Sequence, residues 1–212
     1  MNSKFFQEID TLVRGGIPLI FIDTTEHSRC IREIEKIVKH YNENIEEYMF
    51  PVEVMVDKFS IMVYNYLTGL KFLGKEVGHI KRTNDIIGAL EFIKTEDAQF
   101  GFYIFPNFDV WVNNKYAGNS RIPFIVSIFS FFATHLVSEF KYIVMTGSIS
   151  EVPQEIKRFV SVVEFDLPDV LEIETYLQSV AIEYQINDIN PHELAKACLG
   201  LSMNQIENLV KK

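Results

Sequence analysis

The chain has 212 residues, 48% of them hydrophobic and 13% aromatic, enough for a sizeable core and too many for a globally disordered polymer. Its formal net charge of −9 argues against the chain as a whole gripping nucleic acid electrostatically, although a local basic patch is compatible with it. Cys30 and Cys198 are far apart in sequence and form no CxxC pair, so they read as free thiols of a reducing compartment.

The N-terminus lacks the apolar stretch and small-residue cleavage site of a signal peptide. Residues 16–23 read as a buried strand, the first strand proper being 18–23. Residues 28–41 read as an amphipathic helix with Ile31, Ile34, Ile37, Val38 and Tyr41 on one face. A nucleotide-binding α/β domain would join two such elements with a glycine-rich phosphate loop ending in Lys-Ser or Lys-Thr. Here the joint is Thr24-Thr25-Glu26-His27, with no glycine to present backbone amides and no lysine to meet the β- and γ-phosphates. Glu26 also puts negative charge at a helix start otherwise suited to anions. Thr24, Thr25, Glu26 and Ser28 therefore mark a degenerate phosphate-loop position.

Residues 51–56 and 60–65 are short strand candidates, the second alternating Ile61 and Val63 with Met62 and Tyr64. Gly69, Gly74 and Gly78 punctuate a basic loop over 71–82. It reads as a solvated loop, with the alternative that Lys71, Lys75, Lys81 and Arg82 around Phe72 touch a phosphate backbone or a peptide. Asn84 can cap a helix over 85–94, and a strand follows at 102–105. An ATPase needs an acidic pair at the end of that strand, one carboxylate for magnesium and one to activate water. This strand runs out through Phe105-Pro106-Asn107-Phe108-Asp109: Asn107 is uncharged, Asp109 lies two residues further on, and Pro106 ends regular pairing. Asn107 and Asp109 thus mark a degenerate magnesium-site position. Trp111 and Tyr116, beside the polar loop 113–120, suit a partner-contact loop, although Trp111 can equally pack on the body.

Residues 122–137 carry no Asp, Glu, Lys or Arg, but the segment falls short of the roughly 20 residues a bilayer requires. A helix buried inside an α/β layer is the expectation. Strand 142–145 runs into Thr146-Gly147-Ser148, where Thr146 or Ser148 could sense a γ-phosphate or simply cap a turn. Another strand is expected at 160–165. After Pro168, Asp169 with Glu172, Asn190 with Glu193, and Ser202 with Gln205 each have capping-box spacing and announce three short helices. The layout is an α/β body over 1–167, a parallel sheet with helices on both faces, and a helical appendage over 168–212. His27, His40, His79, His135 and His192 show no metal-ligand spacing, and there is no GxSxG elbow or HExxH helix. Neither a metal site nor a catalytic residue is expected.

Pro153-Gln154-Glu155-Ile156-Lys157-Arg158-Phe159, then Val163-Glu164-Phe165-Asp166-Leu167-Pro168-Asp169, resembles the AAA+ pattern in which an arginine-bearing segment leads to the last strand and a Leu-Pro-Asp turn opens the lid. Leu194-Ala195-Lys196-Ala197-Cys198-Leu199-Gly200-Leu201-Ser202 with Gln205-Ile206-Glu207-Asn208-Leu209 is similar to the lid's helix pair. Together with Pro18-Leu19-Ile20, Thr25-Glu26 and the strand 102–109, nearly the whole chain resembles the N-terminal half of the plastid and cyanobacterial AAA family called hypothetical chloroplast reading frame forty-six. The resemblance implies an AAA+-like (P-loop NTPase-type) fold with a small C-terminal helical lid. It implies a degenerate domain without a phosphate loop, normally followed by an intact ATPase domain that is absent before Lys212. No hydrolysis, and no cofactor of its own, is expected; ATP and magnesium would come only through a partner subunit or a following domain. The expected partner is an AAA+ ATPase or a second copy, with no membrane and nucleic acid disfavoured, in cytoplasm or plastid stroma. The resemblance also places Arg158 where AAA rings carry a finger reaching a neighbour's nucleotide in trans; the alternative is a surface cation paired with Glu155. Two other roles stay open, a clamp-loader-like lever on a sliding clamp and a structural subunit of a larger complex, and an active small NTPase is the least favoured.

Overall fold

A computed structural model describes residues 3–48, 58–74, 80–113, 121–136, 139–186 and 190–210. The chain divides into two compact units, residues 1–165 and 166–212, where the sequence reading set the division at 167. The expected strand at 51–56, Tyr116, His79 and the middle of the basic loop fall outside the described residues.

The first unit opens with a helix that the sequence reading did not anticipate, α1 (Lys4–Arg14). Ser3 caps it, accepting from the Phe6 amide, and Phe6, Ile9 and Val13 form its buried stripe. Lys4–Glu8 and Asp10–Arg14 pairs at i,i+4 support its solvent side. The helix stops at Gly15-Gly16, with Gly16 in the left-handed region at φ 65°. Then come β1 (Leu19–Asp23), α2 (His27–Glu43), β2 (Ser60–Asn65), β3 (Gly69–Phe72), α3 (Ile86–Ile93), β4 (Gly101–Phe105), α4 (Phe108–Val112), α5 (Ile122–His135), β5 (Lys141–Gly147), α6 (Gln154–Lys157) and β6 (Ser161–Glu164).

The six strands form one sheet in the order β3-β2-β4-β5-β1-β6. All pairs are parallel except the β2–β3 hairpin, which occupies the start of what the sequence suggested was a loop. Alternation sorts the strand residues between two cores. Leu19, Phe21, Tyr103, Phe105, Ile143 and Met145 face α3, α4, α5 and α6, whereas Ile20, Ile22, Phe102, Ile104, Tyr142 and Val144 face α1 and α2. Burial on both faces explains why β1, β4 and β5 read as near-continuous apolar runs, each buried large side chain contributing about 1.5–3 kcal/mol.

Local details differ from the sequence reading in instructive ways. The cap of α3 is Asp85, which accepts from the Gly88 amide, while Asn84 offers its carbonyl to the Tyr64 hydroxyl. The C-terminus of α3 is closed by buried Lys141, whose Nζ donates to the Ile93 and Thr95 carbonyls and pairs with Glu139. The uncharged helix α5 is not buried all round: Ile125, Ile128, Phe129 and Phe132 enter the core, but Phe124 is 62% exposed. Ser127, Ser130 and Thr134 lie on its exposed side, so small polar residues rather than charges make its wet face. No helix among the described residues is long and apolar enough to cross a membrane.

The second unit contains α7 (Val170–Glu183), α8 (Pro191–Ala197) and α9 (Met203–Val210). All three expected start signals are used. Asp169 with Glu172 and Ser202 with Gln205 form reciprocal boxes, and Asn190 accepts from the Glu193 amide. Its core is Ile173, Leu177, Ala195, Met203 and Ile206, and a Glu174–His192 contact at 2.8 Å ties α7 to α8.

Candidate functional site

Ligands of open parallel α/β sheets bind beyond the carboxyl ends of the strands, where strand order reverses. In this sheet that place is the end of β1, flanked by β5 on one side and β6 on the other. Only Thr24, Thr25 and Glu26 separate β1 from α2. Thr24 donates its amide to the Gly147 carbonyl at 3.0 Å, and its hydroxyl accepts from the Glu26 amide at 3.0 Å. The Glu26 carbonyl receives the Cys30 amide at 2.9 Å, and the Asp23 carboxylate receives the Ile149 amide at 3.0 Å. Glu26 is 3% exposed and ion-pairs with Arg29, itself 8% exposed, whose guanidinium lies over the Phe165 ring at 4.3 Å. The joint is therefore short, buried and largely satisfied by its own hydrogen bonds. A phosphate cradle needs successive amides pointing outward, and here two of the joint's amides already point into the protein.

A second set of contacts crosses the strand ends. His27, the first residue of α2, places Nδ1 2.6 Å from the hydroxyl of fully buried Thr146 on β5. Burial pushes the His27 imidazole below its ordinary value, and the Asp109 carboxylate opposes that shift without cancelling it. Asp109 lies in the first turn of α4, after Asn107, which takes the left-handed conformation at φ 53°. The Asp109 carboxylate crowds Gly147 so closely that a Cβ built there would collide with it, which is why the residue after Thr146 carries no side chain. Threonine, histidine, aspartate and glycine thus fasten the ends of β1, β4 and β5 to one another.

Of the residues singled out from sequence, Thr24, Glu26, Asp109 and Thr146 lie in this fastened region. Thr25, Ser28 and Asn107 are exposed. Ser148 shares a 2.8 Å hydrogen bond with Ser150 on the rim that follows β5. Trp111 stands in α4 rather than in a loop, and packs edge-on to Tyr64 and tilted over Tyr66, with centroids 6.2 and 5.1 Å apart. Arg158 is exposed at the end of α6 with its guanidinium over the neighbouring Phe159 ring at 4.7 Å, and no ion pair joins it to Glu155 among the described residues. His27, Arg29 and Gly147 were missed. Arg29 stands at i+3 from Glu26, a spacing that ordinarily marks a solvated surface pair, so only the buried position gives it meaning. Among the described residues no group of three or more His, Cys, Asp or Glu side chains is placed to hold a metal. Two surface grooves, of about 730 and 520 Å³, lie elsewhere, one along α1 and β6 and one beside α2 and β2.

Comparison with known proteins bears on the same region. Residues 5–165 match the family described as SpoVK-like AAA ATPase, N-terminal domain, a stretch that takes in nearly all of the first unit. Two curated relatives, each an uncharacterized AAA domain-containing protein ycf46, come from Pyropia yezoensis (24% identical) and Trieres chinensis (25% identical). Each similarity covers 99% of this chain but only 38% of the relative, so the chain spans about two fifths of their length. A chain in the structure of the E. coli MS115-1 HORMA:CdnC:Trip13 complex superposes with a TM-score of 0.50 at 11% identity, covering 93% of this chain and 64% of that one, a likeness of fold alone.

Proposed function

We infer that this chain, which belongs to the family of SpoVK-like AAA ATPase N-terminal domains, serves as a non-hydrolysing AAA module that assembles with, and regulates, a catalytic AAA subunit or domain. The observation that carries this reading is the joint after β1: three residues, two amides turned inward, and a buried Glu26–Arg29 pair beside the helix start that a phosphate would otherwise approach. Phosphoryl transfer depends almost wholly on positioned charges around the phosphates and their magnesium ions. The residues here offer neither a lysine at the joint nor a second carboxylate beside Asp109 at the end of β4. The chain on this reading takes no nucleotide of its own, and ATP and magnesium belong to the partner.

Arg158 supplies the regulatory contact. It is exposed at the end of α6, just before β6, and free of an ion pair with Glu155 among the described residues, which suits a cation that reaches another subunit's nucleotide. Such a finger contributes a factor of roughly 10³–10⁵ where it acts fully. Two free cysteines and relatives from a red alga and a diatom support a reducing compartment, cytoplasm or plastid stroma, as its place of work. The test is phosphate release. The chain with ATP and magnesium should give no turnover above buffer, and mixing it with the full-length ycf46 relative should change that protein's rate in a way that Arg158→Ala abolishes. Turnover by the chain alone would overturn the first half of the reading, and an identical rate with the Arg158→Ala variant the second.

A further inference from the structure

The two edges of the sheet are finished differently. At the β3 edge the chain returns to cover the strand: Leu70 donates its amide to the Thr83 hydroxyl at 2.9 Å and accepts the Ile80 amide at 3.1 Å. Gly69 lies so close to Thr83 that any side chain there would collide with it. At the β6 edge nothing comparable happens among the described residues. The register Asp23↔Glu164 and the bond from the Phe165 amide to the Asp23 carbonyl fix which backbone groups point at β1. They are those of residues 161, 163 and 165, so the N–H and C=O of Val162 and Glu164 point outward. Among the described residues no hydrogen bond satisfies them, and Val162 is 48% exposed. Beside this edge lies the groove of about 730 Å³, lined by Lys4, Gln7 and Thr11 of α1 together with Val162, Val163 and Glu164.

We propose that the open edge of β6 pairs with the same edge of a second copy of this chain, the two strands lying antiparallel about a two-fold axis at Val163. The register follows from the free groups. With the axis at Val163, Val162 of each copy stands opposite Glu164 of the other, and both are the residues whose backbone groups are unpaired. Each such pair exchanges both its N–H···O bonds. Val163 meets its mate across the axis as a β-branched pair, and the two Glu164 carboxylates are not set directly against each other, so the edge is complementary to itself. The pairing goes beyond the pseudo-ATPase reading and does not depend on it, since it needs neither nucleotide nor partner protein. An extended segment of a different protein would use the same backbone groups, but would leave this chain monomeric on its own.

The experiment is sedimentation velocity on the full chain from micromolar to near-millimolar concentration, with no nucleotide present. A reversible dimer is expected. Val162→Lys places a cation opposite each Glu164 and should tighten the dimer by about tenfold, and Val162→Glu should weaken it by a similar factor, both effects shrinking with added salt. Val162→Pro removes an outward amide without touching the β1 ladder and should abolish the dimer. The lysine and glutamate variants replace a half-exposed side chain, so they keep the test decisive even if the proline variant folds poorly. A wild-type chain that stays monomeric throughout would overturn the proposal. So would a dimer that both charge variants move in the same direction or leave unmoved.

Discussion

The joint after β1 and the rim after β5 are neighbours at the same end of the sheet, yet they treat their polar groups in opposite ways. At the joint, Thr24 and Glu26 turn amides and side chains inward, and the Glu26–Arg29 pair is almost wholly out of water. On the rim, Ser150 and Glu151 are exposed, and the Ser148 hydroxyl shares a hydrogen bond with its neighbour Ser150. The joint holds strand ends together, whereas the rim leaves polar side chains in water. The buried contacts of the joint and the exposed side chains of the rim rest on different residues, so each can change without the other.

Each substitution below tests one side of that contrast, the largest effect first. Arg29→Met removes the cation that ion-pairs with buried Glu26 and should cost about 3–5 kcal/mol in urea unfolding. Adding Glu26→Gln should recover part of that loss; if the single variant is harmless, the joint is not the fastening it is taken to be. Gly147→Ala drives a methyl group into the Asp109 carboxylate and should cost about 1–3 kcal/mol, relieved by adding Asp109→Ala. Thr146→Val removes the partner of His27 and should cost about 1 kcal/mol, with the imidazole NMR signals shifting in response. Arg158→Ala, at the exposed end of α6, should leave stability within about 0.5 kcal/mol while changing only what a partner subunit does.

The histidine also predicts a pH dependence. His27 titrates lower in the folded chain than the ordinary imidazole value of 6.5, so between those two points the unfolded chain holds more protons. Its contribution is therefore fully present above the ordinary value and is lost as pH falls toward the lowered one. A thermal melting profile should decline on acidification through that window, and His27→Asn should flatten the decline. A steeper decline in the variant would contradict the placement of the ring against Thr146.

Much of the architecture was readable because it rests on short-range patterns. Strand 18–23, helix 28–41 and the three capped helices of the second unit announce themselves through apolar spacing and side chains that reach only three residues along the chain. Helix α1 escapes the sequence reading because Phe5, Phe6, Ile9, Leu12 and Val13 sit among charges, and the surface they cover comes from α2 and the sheet, far along the chain. At the candidate site, the missing glycines and lysine were visible at once. The fastening that replaces them was not, since His27 to Thr146 and Asp109 to Gly147 span 119 and 38 positions. Glu26 was seen as a charge in a phosphate's place, but its partner three residues on had no signature apart from burial.

The most direct measurement is isothermal titration calorimetry of the chain with ATP and magnesium. The expected result is no binding heat up to millimolar nucleotide, for the wild type and for Arg158→Ala alike. Micromolar affinity that requires magnesium and disappears in a Thr25→Ala, Ser28→Ala double variant would mean that the joint after β1 still accepts a triphosphate, and would contradict a chain that takes no nucleotide of its own.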